Sequence, residues 1–448
     1  MNKNKHAGRR QAPRAQKGKP SRSAKSKHTV FRQVCNLIPE HMIPKLAREH
    51  KIDARKFSEV SHVLSLIYTH AAHTLSLNET CDALVLHEAE LLRIRGATPP
   101  VRNTFSNANR TRDPALAEAL YWKLFAHLQE ISPGFTQYRK HSGFIFRLKR
   151  EIFAMDSTTL QLTLASIDWA RHRRKKAAAK CHMRLNIGSF LPTFAVVENA
   201  AHHDSVRADV LCAGMVTGDV LLADRAYVDL DFLASLNERG VFFVLRPKCN
   251  MLFDTVKKLP CSGKILRDEL VRPAGVNTIK KYITTLRRVT ALVEVDGKER
   301  EMTFITNNTA WSARTIAELY RARWSIELFF KELKQTLQLS DFVGTNEKAV
   351  KWQVWTGLIT HLLLRFLRHV SRWGHSFSRF AGLVRSALWV KTGLLELLHC
   401  YGTEGAPHRP VLFEKDPYLP GFAKFCSSPM GQHILIHPLK QGVFAMPR

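Results

Sequence analysis

Apolar residues in the first third of the chain recur at the spacing of an α-helix. The segment from Gly96 to Pro100 interrupts this pattern with residues that commonly end helices. We therefore predict a helical N-terminal domain over residues 29–149. Apolar residues that recur with the helical period of about 3.6 residues lie on one helix face. The clearest such stripe comprises Val60, Val63, Leu64 and Ile67.

From residue 150 the pattern changes to short apolar runs and to alternation of apolar and polar positions, which are typical of strands. Ile152–Met155 and Val220–Ala223 are apolar runs bounded by polar residues, as in central strands of a sheet. Val289–Val295 alternates apolar and polar side chains within a longer β-rich block. We predict an α/β domain over residues 150–372, with a β-rich insertion at 241–310.

Helical spacing returns after this block. Ser312 has the side chain of a helix N-cap, and the helix that it begins is predicted to continue to about Leu339. A second helix carries one apolar stripe between Trp355 and Val370, which is the pattern of a core-facing surface. Residues 373–448 are assigned only as a helical C-terminal region, with dimerisation as one candidate role.

The charge of the chain indicates a polyanionic partner. Lys and Arg number 68 against 38 Asp and Glu, so the formal net charge is +30, which favours nucleic acid. Residues 1–28 contain ten Lys and Arg, no acid and almost no large apolar side chain, a composition that does not form a packed core. We predict a disordered basic arm that contacts phosphates; a solubilising tail is the alternative.

The cysteines and the apolar segments exclude other classes of protein. Eight cysteines show no Cys-x-x-Cys pair, so we expect free thiols rather than a disulfide framework. The longest apolar run, Val354–Leu364, is too short for a membrane span of about 20 residues. We expect no membrane partner and no export signal.

Two aspartates follow apolar runs of the predicted sheet. Asp156 ends the run Ile152–Met155, and Asp224 ends the run Val220–Ala223. A carboxylate at the end of a buried strand is costly unless a cation meets it, and hard divalent ions prefer carboxylate oxygens. A shared Mg²⁺ site explains both positions. Asp168 and Asp204 are competing acids in less regular contexts.

The helix that begins at Ser312 adds a third carboxylate. Glu327 lies on one stripe with cations and a phenol, where an ordinary solvent face would alternate Glu and Lys. Three carboxylates and two metal ions suit phosphoryl transfer, because the ions can activate the attacking hydroxyl and stabilise the leaving oxygen. The cations would hold flanking phosphates. The stripe comprises Tyr320, Arg323, Glu327 and Lys334, with Lys331 close to it.

These residues resemble the signature of a known family. The spacing Tyr-x2-Arg-x3-Glu-x6-Lys of the stripe is similar to that of the insertion-sequence-four family of bacterial DDE transposases. The segment 224–227, Asp-Arg-Ala-Tyr, resembles the second-aspartate motif of that family, although many relatives have glycine at position 226. The segment 156–158 resembles the first. The resemblance covers about residues 29–370.

The resemblance implies a fold and an activity. The catalytic core would be ribonuclease-H-like with the β-rich insertion between the second aspartate and the glutamate, and Asp156, Asp224 and Glu327 would be the catalytic residues and the ligands of two Mg²⁺ or Mn²⁺ ions. Tyr320, Arg323 and Lys334 would contact the transposon end. The partners would be double-stranded DNA at terminal inverted repeats, target DNA and a second copy in a homodimeric synaptic complex. The place of action would be the bacterial cytoplasm, at the nucleoid.

Further positions are candidate DNA contacts. Arg and Asn side chains crowd the start of the helix after residue 100 and can pair with guanine and adenine edges, and a basic run lies before a strand predicted at Cys181–Ile187. A solvated surface is the alternative for each. His182, His202 and His203 are not assigned to the site, because hard ions prefer oxygen. The additional DNA-binding candidates are Arg102, Asn103, Arg110, Arg173, Arg174, Lys175, Lys176, Arg225 and Lys331.

The leading hypothesis is a DNA transposase that cleaves at inverted repeats and transfers the 3′-hydroxyl end into target DNA. One alternative is a catalytically silent DNA-binding protein derived from such an enzyme, and another is a metal-dependent nuclease without strand transfer. Trp311 lies in or just after the insertion, but it does not match the aromatic residue with which some relatives stack a flipped base. The sequence leaves open whether a hairpin intermediate is used.

Overall fold

The computed structural model describes residues 25–54, 56–136, 148–162, 171–172, 176–199, 207–274, 282, 284–295, 297–337, 344 and 346–402. Of the predicted basic arm, only residues 25–28 fall within this part, where Lys25 forms a β-bridge with Thr392. Residues 403–448 of the predicted C-terminal region lie outside it.

Helices form the N-terminal part of the chain. Side-chain caps fix several starts: the hydroxyl of Ser58 accepts from the Ser61 amide and that of Ser76 from the Glu79 amide, which satisfies amides that the first helical turn leaves unpaired. The helices are α1 (Val30–Cys35), α2 (Met42–Glu49), α3 (Glu59–Ala72), α4 (Leu77–Leu86), α5 (Glu88–Leu92), α6 (Arg102–Thr111) and α7 (Ala115–Ile131). A 3₁₀ turn, Pro133–Phe135, follows.

The region after residue 150 contains a sheet of ten strands in the described part of the chain. Strand β5 pairs in parallel with both β1 and β6, while β1 and β3 are antiparallel and β4 lies on the other edge of β3. The strands before the β-rich block are β1 (Ile152–Leu162), β2 (Arg171–His172), β3 (Lys176–Asn186), β4 (Leu191–Asn199) and β5 (Val220–Ala223). Short helices α8 (Ala208–Leu211) and α9 (Leu230–Glu238) connect strands.

Two strands differ from the prediction. Strand β1 does not end at Asp156 but continues to Leu162, because its pairing with β3 runs without a break from Phe153 to Leu162. Strand β3 begins at Lys176 rather than at Cys181, so part of the predicted basic loop belongs to the sheet. Polar residues are accommodated in both segments because backbone pairing with a neighbour, not apolar alternation, holds them extended.

The β-rich block extends the same sheet. Strand β6 (Phe242–Leu245) pairs with β5, so the start of the predicted insertion is a core strand. The remaining strands are β7 (Phe253–Lys258), β8 (Ile265–Pro273), β9 (Leu286–Val295) and β10 (Lys298–Thr306). They form an antiparallel meander, and β10 joins it to β6.

The helix predicted from Ser312 to about Leu339 is two helices. Ser312 caps α10 (Ala313–Ala322) as predicted, its hydroxyl accepting from the Thr315 amide. A turn at Arg323 and Trp324 then separates α10 from α11 (Ser325–Thr336). Helices α12 (Glu347–Val370), α13 (Phe377–Ser386) and α14 (Leu394–Gly402) follow.

Helix α12 joins the N-terminal helices to the region that contains the sheet. Its residues are buried without interruption from Trp352 to Leu367, not along one stripe as predicted. The indole of Trp352 donates to the Arg112 carbonyl at 3.1 Å, and Thr356 contacts the His70 ring at 3.2 Å. Helices α3, α6 and α7 pack on α12 from the N-terminal part, and α11 and β4 contact it from the sheet region. A single apolar core therefore contains side chains of both regions. No helix of the described residues is long and apolar enough to cross a membrane.

Candidate active site

Two carboxylates lie side by side at one edge of the parallel strands. Strands β1 and β5 pair in register, with Met155 opposite Ala223, so the next residues are Asp156 and Asp224. Ala154 and Leu222, two positions earlier, both face the larger apolar core. Because side chains alternate along a strand, both aspartates point toward the same side, which is the side of α10 and α11.

Local hydrogen bonds hold the two aspartates. The Oδ1 of Asp156 accepts from the amide of Ser157 at 2.8 Å, and the Oδ1 of Asp224 accepts from the amide of Arg225 at 2.7 Å. Asp224 thereby caps the 3₁₀ turn Arg225–Tyr227. Each carboxylate keeps its second oxygen for another partner.

The guanidinium of Arg323 joins the sheet to the helices. Its Nη1 donates to Asp156 Oδ2 at 3.1 Å and its Nη2 to Glu327 Oε1 at 2.6 Å. The Arg323 side chain is only 9% exposed, whereas that of Glu327 is 54% exposed. One buried cation therefore draws together carboxylates that are 171 positions apart in the sequence, since 327 minus 156 is 171.

The electrostatics of Asp156 reflect the crowding of negative charge. The pKa of Asp156 is raised to about 6, first by burial and then by the charges of Asp224 and Glu327, against the lowering effects of the Ser157 amide and of Arg323. The carboxyl of Asp156 thus feels both other acids of the proposed triad. A group of acids with one raised pKa is typical of functional sites.

The three carboxylates do not form a ready ligand set in this conformation. Within the described ranges, no group of three or more His, Cys, Asp or Glu side chains is arranged to hold a metal ion. The physical reason is Arg323, whose guanidinium lies between Asp156 and Glu327. The donor chemistry, three carboxylates on one side of the sheet, suits a hard divalent ion once the guanidinium moves away.

Tyr320 is a buried member of the same stripe. Only 3% of its surface is exposed, and its ring packs on Phe304 at 4.8 Å between centroids. Arg323 lies over the Tyr320 ring at 5.6 Å. Burial raises the pKa of the Tyr320 hydroxyl to about 12. The ring therefore supports Arg323 and faces the core, not an open DNA surface.

The lysines of the stripe differ in environment. Lys334 donates to the carbonyl of Thr159 on β1 at 3.1 Å, and burial lowers its pKa. Lys331 is exposed and lines a cavity of about 360 Å³ between α11, α12 and the turn before β4. Both are cations on the α11 side of the carboxylates.

The Arg and Asn side chains of α6 and its C-terminal cap fall into two groups. Arg102, Asn103 and Arg110 are exposed. By contrast, Asn109 is buried and contacts His62 at 2.7 Å, and Arg112 donates to backbone carbonyls at the start of α3. The first group is free to contact DNA, while the second is structural.

Several other positions singled out from the sequence lie outside the residues that the structure describes. Arg173, Arg174 and Lys175 are outside the described residues, as are Asp168, Asp204, His202 and His203. Lys176 begins β3. His182, not assigned to the site, is fully buried with its Nε2 3.2 Å from Glu198. The seven described cysteines are free thiols.

Sequence reasoning missed Arg246 near this site. Its charge acts on the Tyr320 hydroxyl, whose pKa it lowers against the effect of burial. The signal was present, because Arg246 follows the apolar run Phe242–Leu245 as Asp224 follows its own run. Ends of neighbouring parallel strands meet at one edge of a sheet, so this signal could have placed Arg246 at the same edge as Asp224.

The comparisons with known proteins fit this geometry. Residues 147–363 match the family model described as a transposase DDE domain, and residues 26–94 match a model described as a domain of unknown function. The chain is 28% identical over 224 residues to the "Probable transposase for insertion sequence element IS5377" of Geobacillus stearothermophilus, over 49% of this chain and 58% of that protein. It is 26% identical over 230 residues to the "Transposase InsG for insertion sequence element IS4" of Escherichia coli, over 48% and 50%.

The DDE-domain match and the insertion-sequence transposases among the relatives support a DDE transposase of the IS4 type. Another relative, "Putative transposase y4zB" of Sinorhizobium fredii, is 27% identical over 65% of this chain and 78% of that protein. The chain spans little more than half the length of the first relative named, 58%. A piggyBac transposase synaptic complex with hairpin DNA shows only a weak likeness, with a TM-score of 0.43 and 8% identity over 84% of each chain.

The DDE domain covers all three proposed catalytic carboxylates. Asp156, Asp224 and Glu327 lie within the matched range. A transposase DDE domain implies dependence on divalent metal ions in general terms.

Proposed function

We propose that this chain cleaves DNA at the terminal inverted repeats of a mobile element and transfers the 3′-hydroxyl end into target DNA. Asp156, Asp224 and Glu327 would hold two Mg²⁺ or Mn²⁺ ions. The observation that carries the proposal is the bridge made by Arg323, which brings Asp156 and Glu327 together where the charge of Asp224 is also felt.

The ions, when bound, supply activation of the attacking hydroxyl and stabilisation of the leaving oxygen. The protein's own part begins with Arg323, which must leave the two carboxylates before they can act as ligands. A DNA phosphate is an anion, as the two carboxylates are, and can accept two hydrogen bonds from the guanidinium. The ring of Tyr320 under Arg323 limits where the guanidinium can go.

The proton on Asp156 sets a lower limit on the working pH. With its pKa raised to about 6, Asp156 carries a proton for much of the time in mildly acidic solution and is then a poor metal ligand. Asp156 must lose this proton before it can coordinate. Cleavage is therefore expected to fall as the pH drops through about 6.

Cations around the site would grip the DNA backbone. On the α11 side these are Lys331 and Lys334, with Arg323 between the carboxylates. Exposed Arg102, Asn103 and Arg110 on α6 would contact the terminal repeat, and the arm would add contacts to phosphate. The remaining proposed contacts are Arg173, Arg174, Lys175, Lys176 and Arg225.

The larger organisation is proposed on the same basis. The mixed sheet, with β1 and β5 carrying the aspartates, would be a ribonuclease-H-like core, and the meander β7–β10 would be its insertion. Two copies would pair the two ends of the element in a synaptic complex, acting at the nucleoid of a bacterial cell. Tyr320 is better explained as the support of Arg323 than as a direct DNA contact, since it is buried.

The test is cleavage of a duplex that carries the terminal repeat of the element, with Mg²⁺ present. Asp156→Ala, Asp224→Ala and Glu327→Ala should each lose several kcal/mol of transition-state stabilisation, or about 10³-fold in rate. Glu318→Ala is the matched control, because Glu318 is on α10 and pairs only with exposed Arg314 among the described residues. Normal cleavage by any of the three variants would remove that residue from the site.

A joining assay separates a transposase from a nuclease. A pre-cut end with a free 3′-hydroxyl is incubated with supercoiled target DNA and Mg²⁺. The proposed activity predicts covalent joining, since that hydroxyl is the nucleophile. Cleavage of intact ends without any joining of pre-cut ends would instead identify a metal-dependent nuclease.

A further inference from the structure

A cavity of about 320 Å³ opens beside the second aspartate. The turn after β5, the segment after β6 and the meander strands β8 and β9 all contribute to its wall. The side chains that give it its character are Arg225, Arg246, Lys248, Arg267, Arg288 and Phe253. We call it the cationic cavity.

Positive charge dominates the cationic cavity. Five of its lining residues are Arg or Lys and one, Glu301, is acidic. Arg288 is matched by Glu269 at 2.5 Å and lies over the Phe253 ring at 5.5 Å. Within the described residues, no ion pair is found for the other four cations, whose charge therefore remains available to an external anion.

The four unmatched cations are not scattered over a convex surface. They come from separate stretches of the chain and face one concave space, where like charges raise each other's energy. Concave surfaces of one sign also concentrate the field and attract counter-ions. The contact of Arg225 Nη1 with Cys249 Sγ, at 3.5 Å, fixes one wall of the cavity without neutralising it.

The cationic cavity is adjacent to the active site. Arg225 follows Asp224 directly, and Arg246 is near enough to Tyr320 to lower the pKa of its hydroxyl against the effect of burial. The cavity then extends to Lys248 and to Arg267 on β8. An extended anion can therefore reach from the active-site carboxylates, through the cavity, to the meander strands.

We propose that the cationic cavity binds phosphodiester groups of the DNA strand that leaves the active site, with Lys248 and Arg267 as contacts outside the catalytic machinery. The inference rests on the proposed function and names a path for the substrate. A strand, rather than a single free phosphate, fits four unmatched cations distributed over separate elements. The contacts would be to the backbone and so independent of base sequence.

The first experiment measures binding of a terminal-repeat duplex and of an unrelated duplex of equal length, in EDTA, at several salt concentrations. The double variant Lys248→Ala with Arg267→Ala should weaken both duplexes equally and reduce the slope of log K against log[salt] by about 0.9 for each phosphate that is no longer neutralised. Arg272→Ala is the matched control, because Arg272 is exposed on the same strand but does not line the cavity. An unchanged slope and affinity in the double variant would overturn the proposal.

The second experiment uses the cavity's own thiol as a reporter. Cys249 lines the cavity and is exposed, while Cys261 is exposed outside it. DNA should slow alkylation of Cys249 by iodoacetamide more than that of Cys261, with both measured by mass spectrometry of the same sample. Equal protection of Cys249 by inorganic phosphate at the same phosphate concentration would mean a site for a free anion and would contradict the proposal. Failure of DNA to protect Cys249 would contradict it as well.

Failure of this inference is distinguishable from failure of the proposed function. Both binding experiments omit metal ions, so they do not depend on catalysis. If Asp156→Ala leaves cleavage intact while the double variant loses affinity, the catalytic assignment fails and the cavity assignment stands. If Asp156→Ala abolishes cleavage but the double variant binds like the unchanged protein, the cavity assignment alone fails.

Discussion

Replacing Asp156 by asparagine should stabilise the fold while it removes activity. The carboxylate is held among two other acids in a partly buried place, and its pKa is raised from 3.8 to about 6. The ionised form is therefore less favourable in the folded protein than in the unfolded chain. The neutral amide of an asparagine at this position would imitate the protonated carboxyl, which does not carry this penalty.

The size of the effect follows from the pKa. A shift from 3.8 to about 6, at 1.36 kcal/mol per unit, corresponds to about 3 kcal/mol at most. Because the folded pKa is the higher one, the folded state holds the proton more tightly, and stability falls as the pH rises from about 4 to about 6. The advantage of Asp156→Asn should be absent below pH 4, grow between these values and stay constant above them.

The assay is urea denaturation in EDTA at a series of pH values. Asp254→Asn, at an exposed position on β7, controls for the change of side-chain type. Adding Mg²⁺ at pH 8 should stabilise the unchanged protein, because a ligand that binds only the folded state shifts the equilibrium, and should do so less for Asp156→Asn. If the variant is no more stable than the unchanged protein at pH 8, Asp156 does not carry the electrostatic cost described here.

Three further substitutions test the packing around the site by urea denaturation. Arg287→Met leaves Asp268 as an unmatched buried charge, since the two are paired at 2.7 Å, and should cost about 3–5 kcal/mol; a loss below 1 kcal/mol would contradict this. Leu358→Ala in fully buried α12 should cost about 2–5 kcal/mol, and tryptophan fluorescence and circular dichroism should report one shared transition rather than two. Asn109→Ala removes the 2.7 Å partner of buried His62 and should cost about 1–3 kcal/mol; stability equal to that of the unchanged protein would show that a water replaces the amide.

Local sequence signals predicted the features that depend on neighbouring residues. Ser312 caps its helix because its hydroxyl needs only the amide three positions later. Asp224 ends a strand because the apolar run Val220–Ala223 fits a position inside a sheet, as the structure shows. The alternation of apolar and polar residues in β9 was also sufficient to predict a strand, since one face of that strand is buried.

Features that depend on distant partners were not predictable in this way. The polar segment 157–159 of β1 has no apolar alternation and is extended because β3 pairs with it. The predicted apolar stripe covers less of α12 than is buried in the structure. Helices α3, α6 and α7 cover faces of α12 that the periodicity marks as less apolar. The four unmatched cations of the cationic cavity come from three stretches of the chain, and nothing in the spacing of Arg225, Lys248 and Arg267 indicates that they share a space.

The break between α10 and α11 has a physical cause in the sheet below. Helix α10 packs on β6, β9 and β10, whereas α11 packs on β1, on the other side of β5. Neighbouring strands are rotated by about 20–25° relative to one another, so one straight helix cannot follow both ends of the sheet. At Arg323 and Trp324 the backbone hydrogen bonds change to the i→i−3 type, with no glycine or proline at the break to mark it in the sequence. Because the change falls above the aspartates, Arg323 points into the sheet edge and Glu327 begins the next helix beside it. The twist of the sheet and the placement of the third carboxylate are thus consequences of one packing arrangement.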